Sequence, residues 1–368
     1  MPVGPVICAP IYKPKLWGGR EMARLLNKPL PGEEPIGESW ELADLEDDQS
    51  VVVRGATPGW TLARLVAEWG ADLTGRAPLV DGRFPLLIKF LDARETLSVQ
   101  VHPTEAVARR LGGRVRVKHE AWYVVDAAPG AVIYRGVWPG VDEAALRAAI
   151  AAGRVEPLLN RIPARKGHCY YLPSGTLHAL GAGVVVAEVQ TPSDVTYRVD
   201  DWGRVDPNTG APRELHIEQA LPCIEYTAGP TSGERIEHTA SVWTTVSSLV
   251  QCESFVIERV RMVEGVEQVI PHQELVIWIV LAGRGTIRGS GFAALDFEVG
   301  DTVLIPAAIK DGSVTTHASC MWLEVTVPIT SDLAGFDRPS AEELRRVAPG
   351  YVQLGVRPPN GADRREDS

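Results

Sequence analysis

The chain has 368 residues, 45% apolar and 23% charged, a globular composition that argues against wholesale disorder. That length exceeds one comfortable hydrophobic core and fits two or three domains. With 37 basic against 47 acidic residues the net charge is −10 and no basic block offsets it, so nucleic acid is not expected as a partner, although a few cations in one cleft can still meet an anionic metabolite.

No apolar run has the length to cross a bilayer, and the start, MPVGPVICAPIYKPKLWGG, lacks the basic n-region and apolar centre of a secretory signal. A soluble, cytoplasmic protein with no membrane partner is expected. Cys8, Cys169, Cys223, Cys252 and Cys320 are scattered with no CxxC pair, and are read as reduced, structural thiols.

The opening to about residue 53 is rich in Pro and Gly. Trp17, in WGGR, is either a turn packed by an aromatic or part of a substrate wall. Glu41 alternates with Trp40 and Leu42, so it is either a solvated edge carboxylate or a substrate contact. Residues 59–70, GWTLARLVAEWG, have helical spacing behind a Thr cap. Residues 85–103, PLLIKFLDARETLSVQVHP, run from an apolar segment around Lys89 into an alternating strand. In that strand Ser98, Gln100 and His102 share one face while Leu97, Val99 and Val101 share the other.

Short helices are expected at 104–111 and at 141–153, the latter capped by Asp142 and stopped by Gly153. Between them, VKHEAWY places Lys118, Glu120 and Trp122 on one side of a strand and His119 on the other. Short β segments are expected at 121–126, 131–134, 168–172, 184–189 and 195–199. Helices set among irregularly spaced strands do not read as βαβ units but as an antiparallel barrel or sandwich with helical decoration. His178 follows a Pro/Gly turn in LPSGTLHA, and Glu188, Asp194 and Arg198 flank a loop between strands. Such charges, once buried, need partners or a wet cleft.

From about 229 the signals are almost purely β, with strands expected at 242–252, 255–261, 274–281, 285–288, 302–306, 313–316 and 321–327. LAGRGT followed by VGDTVLIP resembles the turn pattern of a cupin-type jelly roll. His272 has no second donor at strand spacing and is read as structural. Beyond 330 one helical patch, AEELRRV, precedes a polar end expected to be disordered. The division expected is therefore 1–228, a catalytic metal-binding unit with helical insertions; 229–328, a second, metal-free β unit; and 329–368, an extension.

Gln100, His102, Glu120 and His178 collect two imidazoles, a carboxylate and an amide, a donor set for Zn²⁺ with coordination open to substrate; two His and a carboxylate suit non-haem Fe(II) equally. No GxxxxGK[ST], no GxGxxG opening a helix and no GxSxG elbow competes.

IGESWELADLED, the 85–103 segment, KHEAWYVVDAAPGAVIYRG, YYLPSGTLHALGAGVVVAEVQTPSDVTYRVDDWGR and GAPRELHIEQAL come in order and at sensible spacing. Together they resemble the short bacterial form of the type I mannose-6-phosphate isomerase family, from about residue 14 to 328. The resemblance implies a mainly β protein of two cupin-type jelly-roll barrels with helical insertions in the N-terminal half. It implies a zinc-dependent aldose–ketose isomerase, one Zn²⁺ per chain, acting on a sugar phosphate as monomer or homodimer. By motif, Gln100, His102, Glu120 and His178 would hold zinc, Arg198 would be the active-site arginine, and Glu188 or Lys118 the base. Lys89, Ser98 and Lys118 would hold the sugar phosphate or assist proton movement, Asp194 would be an acidic residue near the site, and Glu41 and Trp17 would be further substrate contacts. His119 stands where a small polar residue is expected, Pro192 interrupts the QxxSD loop, and there is no room for the helical domain of longer members. The alternatives are a cupin Fe(II) oxygenase on the same ligands and a non-catalytic sugar-binding double cupin.

Overall fold

The structure is a computed structural model that describes residues 2–112, 115–206, 209–227, 241–271 and 273–329, with the backbone alone at 237–240 and 352–353. His272, the AEELRRV patch and the polar C-terminal end lie outside the described residues. Among the described residues no helix is long and apolar enough to cross a membrane.

The fold is mainly β, as expected, and its strands pair antiparallel in four sheets. A six-stranded sheet runs Cys169–Leu172, Glu120–Ala127, Val184–Gln190, Leu87–Ala93, Ile11–Gly19, Ile36–Leu42. A five-stranded sheet runs Tyr197–Asp200, Val99–Val101, His178–Leu180, Val132–Val137, Leu159–Pro163. The two close on one another as a barrel, because Leu91, Trp122 and Val186 of the first pack with Ile133 and Leu180 of the second. A nine-stranded and a four-stranded sheet form the second barrel around Trp278, Trp322, Ile287 and Phe297.

Two-residue alternation decides what each sheet face meets. The outward side chains of the six-stranded sheet, among them Ile88, Phe90, Ala121, Tyr123, Ala187 and Val189, share one core with Ile257, Ile277, Leu304, Leu323 and Val325 of the nine-stranded sheet. The outward side chains of the five-stranded sheet are covered by helices: Val107 of Glu105–Arg110, Leu146 of Glu143–Ala151 and Ala220 of Ile217–Ala220 pack with Val99, Val101, Ala179 and Val199. The expected caps hold, with Thr61 and Asp142 accepting from the backbone amides of Arg64 and Ala145, and Thr104 caps its helix in the same way on the amide of Val107.

The opening segment carries strands that its Pro and Gly content masks. Val6–Cys8 and Val52–Gly55 extend the nine-stranded sheet, with Val6 opposite Leu304 and Ile7 opposite Arg54. The N-terminus therefore completes the sheet of the C-terminal half, and the expected boundary at 228 is crossed by these two strands as well as by the shared core.

That continuity has a measurable consequence. Phe255 is fully buried in the shared core and meets the Tyr171 ring edge-on with centroids 6.2 Å apart. Phe255→Ala should cost about 3–5 kcal/mol, and urea unfolding followed by fluorescence and circular dichroism should show one transition moved to lower denaturant. Two separated transitions would mean that the halves unfold independently.

Candidate metal centre and active site

The inward face of the six-stranded sheet is built by register. Trp122 lies opposite Glu188, Glu188 opposite Lys89, and Lys89 opposite Trp40, so these four side chains form one row across the sheet. One step along, Glu120 lies opposite Leu172 and Gln190. In the facing sheet Arg198, Gln100, His178 and Arg135 are successive register partners. The alternation anticipated for Gln100 and His102, and for Lys118, Glu120 and Trp122, is what brings the two rows face to face.

His102, Glu120 and His178 converge with ligand atoms all within 4.8 Å of one another, each residue buried. Both imidazoles turn Nδ1 to a backbone carbonyl, His102 to Val195 O at 2.9 Å and His178 to Thr176 O at 2.8 Å. A carbonyl only accepts, so Nδ1 carries the proton and each Nε2 presents a lone pair. Those lone pairs face Glu120, with His178 Nε2 2.9 Å from Oε1 and His102 Nε2 3.4 Å from Oε2. His102 Nε2 has no hydrogen-bond partner, and Glu120 is met by the Lys118 ammonium, 2.6 Å from its Oε2. Acceptors aimed at acceptors in a dry interior need a cation between them, and two neutral imidazoles with one carboxylate are the donor set of a divalent metal. Burial above all, and then Lys118, outweigh the pull of Glu120 and hold His102 down at about 3, so it is neutral as a ligand must be. Gln100 Nε2 lies 3.3 Å from His178 Nε2, which places the amide beside the same centre; a half-turn of that amide would present its oxygen instead.

From the barrel rim to this centre the charges alternate in sign. Lys15 Nζ is 3.1 Å from Glu38, whose other oxygen is 3.7 Å from Lys89 Nζ. Lys89 is 3.9 Å from Glu188 Oε1, which is 3.7 Å from Lys118 Nζ, and Lys118 is 2.6 Å from Glu120. Side-chain exposure falls along the series from 36% at Lys15 through 12% at Glu38 and 5% at Lys89 to none at Glu120. Burial lifts the Glu188 carboxyl above its ordinary range, and the opposing pull of Lys118 does not cancel it. Burial also lifts Glu120, but there Lys118 and the two imidazoles win and hold it well below the carboxylate range. Lys118 is depressed by burial, yet Glu120 and Glu188 raise it further than burial lowers it, so it stands as an ammonium. Glu188 Oε2 accepts from Trp122 Nε1 at 3.1 Å while Oε1 has no hydrogen-bond partner. One carboxylate oxygen is thus anchored and the other stands unbonded between Lys89 and Lys118, 3.9 and 3.7 Å away.

Gln100, His102, Glu120, His178, Lys89, Lys118 and Glu188 are therefore brought together. Asp194 sits at the mouth, 62% exposed and 3.9 Å from Lys89. Arg198 is set beside Gln100 by register, its Nη1 donating to Glu214 O at 2.8 Å and its Nε without partner. Ser98 is buried one step before the Val99–Val101 strand. Two expectations need correction. Glu41 faces away from the site: with Ser39 it points to the opposite side of the sheet, bonded to Ser39 Oγ and paired with buried Lys28 at 2.6 Å. Glu38, two residues earlier in phase with Trp40, is the carboxylate that meets Lys89, and burial notwithstanding, Lys89 and Lys15 bring it down to about 2. The register of Trp40 against Lys89 was the signal that distinguishes the two. Trp17 is buried in the apolar cluster of Leu91, Ala93, Leu97 and Trp122, so it packs the barrel interior and does not line the charged row. His119 explains its own departure from pattern, since its Nδ1 accepts from Ser174 N at 3.2 Å and is 3.3 Å from Tyr171 Oη, tying down the turn before His178.

Comparison with known proteins bears on this geometry. Residues 7–126 match the family model described as phosphomannose isomerase type I, catalytic domain. The mannose-6-phosphate isomerase ManA of Bacillus subtilis is 32% identical over 321 residues, covering 87% of this chain and 99% of that protein. A mannose-6-phosphate isomerase of Streptococcus mutans is 36% identical over 83% of this chain and 94% of its own length. Among solved structures, the mannose 6-phosphate isomerase of Bacillus subtilis superposes with a TM-score of 0.79 at 30% identity, covering 88% of this chain and 100% of that one. An Archaeoglobus fulgidus structure at 21% identity and TM-score 0.70 shares the fold.

The donor set makes a direct prediction. Elemental analysis after dialysis should find one divalent ion per chain, and His102→Ala or Glu120→Ala should lose it. Retention of a stoichiometric ion by both variants would rule the triad out as the metal site.

Proposed function

The chain belongs to the type I phosphomannose isomerase family, and on that premise we propose that it interconverts mannose 6-phosphate and fructose 6-phosphate. Zinc would be held by His102, Glu120 and His178, with Gln100 as a fourth donor. Catalysis would rest on the 1–228 unit, with 229–328 backing its six-stranded sheet. The observation that supports this reading most directly is Glu188 Oε1, a buried carboxylate oxygen without a hydrogen-bond partner beside the metal triad.

Aldose–ketose isomerisation moves a proton between C2 and C1 of the open-chain sugar through a cis-enediol. Glu188 is the base that takes the C2 proton and returns it to C1. Trp122 Nε1 holds its other oxygen in place, which fixes the direction in which Oε1 points. Lys118 is disfavoured as the base because it is bonded to Glu120 at 2.6 Å as an ammonium; it donates toward the sugar oxygens and helps their protons exchange. Arg198, whose Nε is unpartnered and which pairs in register with Gln100, would oppose negative charge that develops on the enediol oxygens. A bound zinc ion supplies Lewis-acid stabilisation of that same oxygen charge.

The two rivals suit the surroundings less well. An Fe(II) oxygenase on the same three ligands has no use for a row of two lysines and a free carboxylate beside the metal. A non-catalytic binding barrel would not keep a raised, half-anchored carboxyl at its centre.

A coupled assay of mannose 6-phosphate conversion, with and without chelator, tests the reaction. Glu188→Gln should lower kcat by roughly 10²–10⁴ while metal content is kept. Near-normal kcat in a metal-replete Glu188→Gln would remove Glu188 as the base, and oxygen uptake without isomerisation would favour the oxygenase.

A further inference from the structure

Resting on the sugar-phosphate reading above, we infer that Lys15 is the residue that binds the substrate's phosphate, exchanging its contact with Glu38 for the incoming dianion. Nothing in the sequence singles it out; its position in the charge series does.

A phosphate must meet a cation that can reach it, and the inner lysines are enclosed. Lys118 is 5% exposed and held between Glu120 and Glu188. Lys89 is equally buried, lies within 3.9 Å of Glu38, Glu188 and Asp194, and stacks 4.6 Å from the Trp40 ring. Three carboxylates around Lys89 repel a second anion at the same ammonium. Lys15 has one carboxylate partner, is the outermost and most exposed member of the series, and shares that partner with Lys89. In this reading the C1–C2 end of the substrate lies by the metal centre and its phosphate toward the exposed end of the series, where Lys15 stands.

Lys15 is also held in place. A Cβ at Gly37 would lie 2.6 Å from Lys15 Cβ and Cγ and 2.8 Å from Trp17 Cη2, so only glycine lets the lysine stem lie on the strand that carries Glu38. Lys15 is the solvent side of its contact with Glu38, 36% exposed against 12%, so its ammonium can swing to an incoming anion without being dehydrated first. Glu38 keeps Lys89 as its partner when Lys15 turns to phosphate, and no buried carboxylate is stranded. Lys13, the neighbouring rim cation, bonds Asp48 at 2.5 Å and lies over Trp40, outside the series that leads to the metal.

The test is calorimetric binding of mannitol 1-phosphate and of mannitol, neither of which can react, to the wild type and to Lys15→Ala, Lys15→Arg and Lys13→Ala. Melting temperature and metal content certify each variant as folded and loaded. Lys15→Ala should weaken the hexitol phosphate about tenfold or more and mannitol less than twofold; Lys15→Arg should recover most of the loss. In turnover, KM for mannose 6-phosphate should rise far more than kcat falls. Lys15→Ala that binds the hexitol phosphate within twofold of wild type, or Lys13→Ala that loses as much, overturns the assignment, as does a wild type that does not bind hexitol phosphate at all. A wild type that binds it through Lys15 yet does not isomerise mannose 6-phosphate would sink the proposed reaction and leave the assignment of Lys15 standing.

Discussion

The barrel is organised around Glu120, a carboxylate fully out of water that faces two imidazole nitrogens carrying no proton between them. Such a cluster is unfavourable without positive charge, and two sources of it are built in: the ammonium of Lys118 at 2.6 Å, and the space between three ligand atoms where a divalent ion fits. Lys118 is in turn held as an ammonium by Glu120 first and by Glu188 as a second carboxylate at 3.7 Å. Each group brings in the next, so the alternation of sign from Glu120 out to Lys15 follows from burial itself. Removing any inner member strands its neighbour.

Only β structure places such a series so economically. Inward side chains of adjacent strands stand in register, and the row Trp122, Glu188, Lys89, Trp40 is one residue from each of four strands. The alternate residues of those strands point outward, where Phe90, Ala187 and Tyr123 bury against the second barrel. The C-terminal half therefore acts on the site from behind, by fixing strands whose inward charges must hold their distances to within fractions of an ångström. Helices do the same for the facing sheet through Val99 and Val101. Neither support contributes a group to the charged row.

Much of this was legible from residues alone, and the reason is the same alternation. QVH and KHE declare which of their side chains share a face, which pairs Gln100 with His102 and Lys118 with Glu120, while His178 was read from its place after the Pro/Gly turn of LPSGTLHA. The caps at Thr61 and Asp142 are local chemistry and were equally readable. What failed depended on cross-strand register. The opening segment hides four strands because Pro14 and its glycines lower β propensity, while pairing with Leu87–Ala93 and Thr302–Ile305 overrides it. Glu41 was singled out and Glu38 was not considered, because two acids on one strand cannot be told apart until one knows which of them is in phase with Lys89.

The strand Ile36–Leu42 shows why that phase is stable. Its inward side chains Glu38 and Trp40 meet Lys89, while Ser39 and Glu41 close with Lys28 on the other side, over the Phe90 ring. A slip of one residue would exchange the faces: Ser39 and Glu41 would turn to the cleft, and Glu38 would enter the core away from Lys89. Glu38 would then be buried without its cation, and Lys28 would be left in the core without its carboxylate, each costing several kcal/mol. A hydrophobic pair in place of Lys28 and Glu41 would fill the same space but would leave half of that penalty out. The buried ion pair on the back of the sheet thus protects the register of the charges on its front, and the position of Lys89 in the site depends on a contact that lies on the far side of its own sheet.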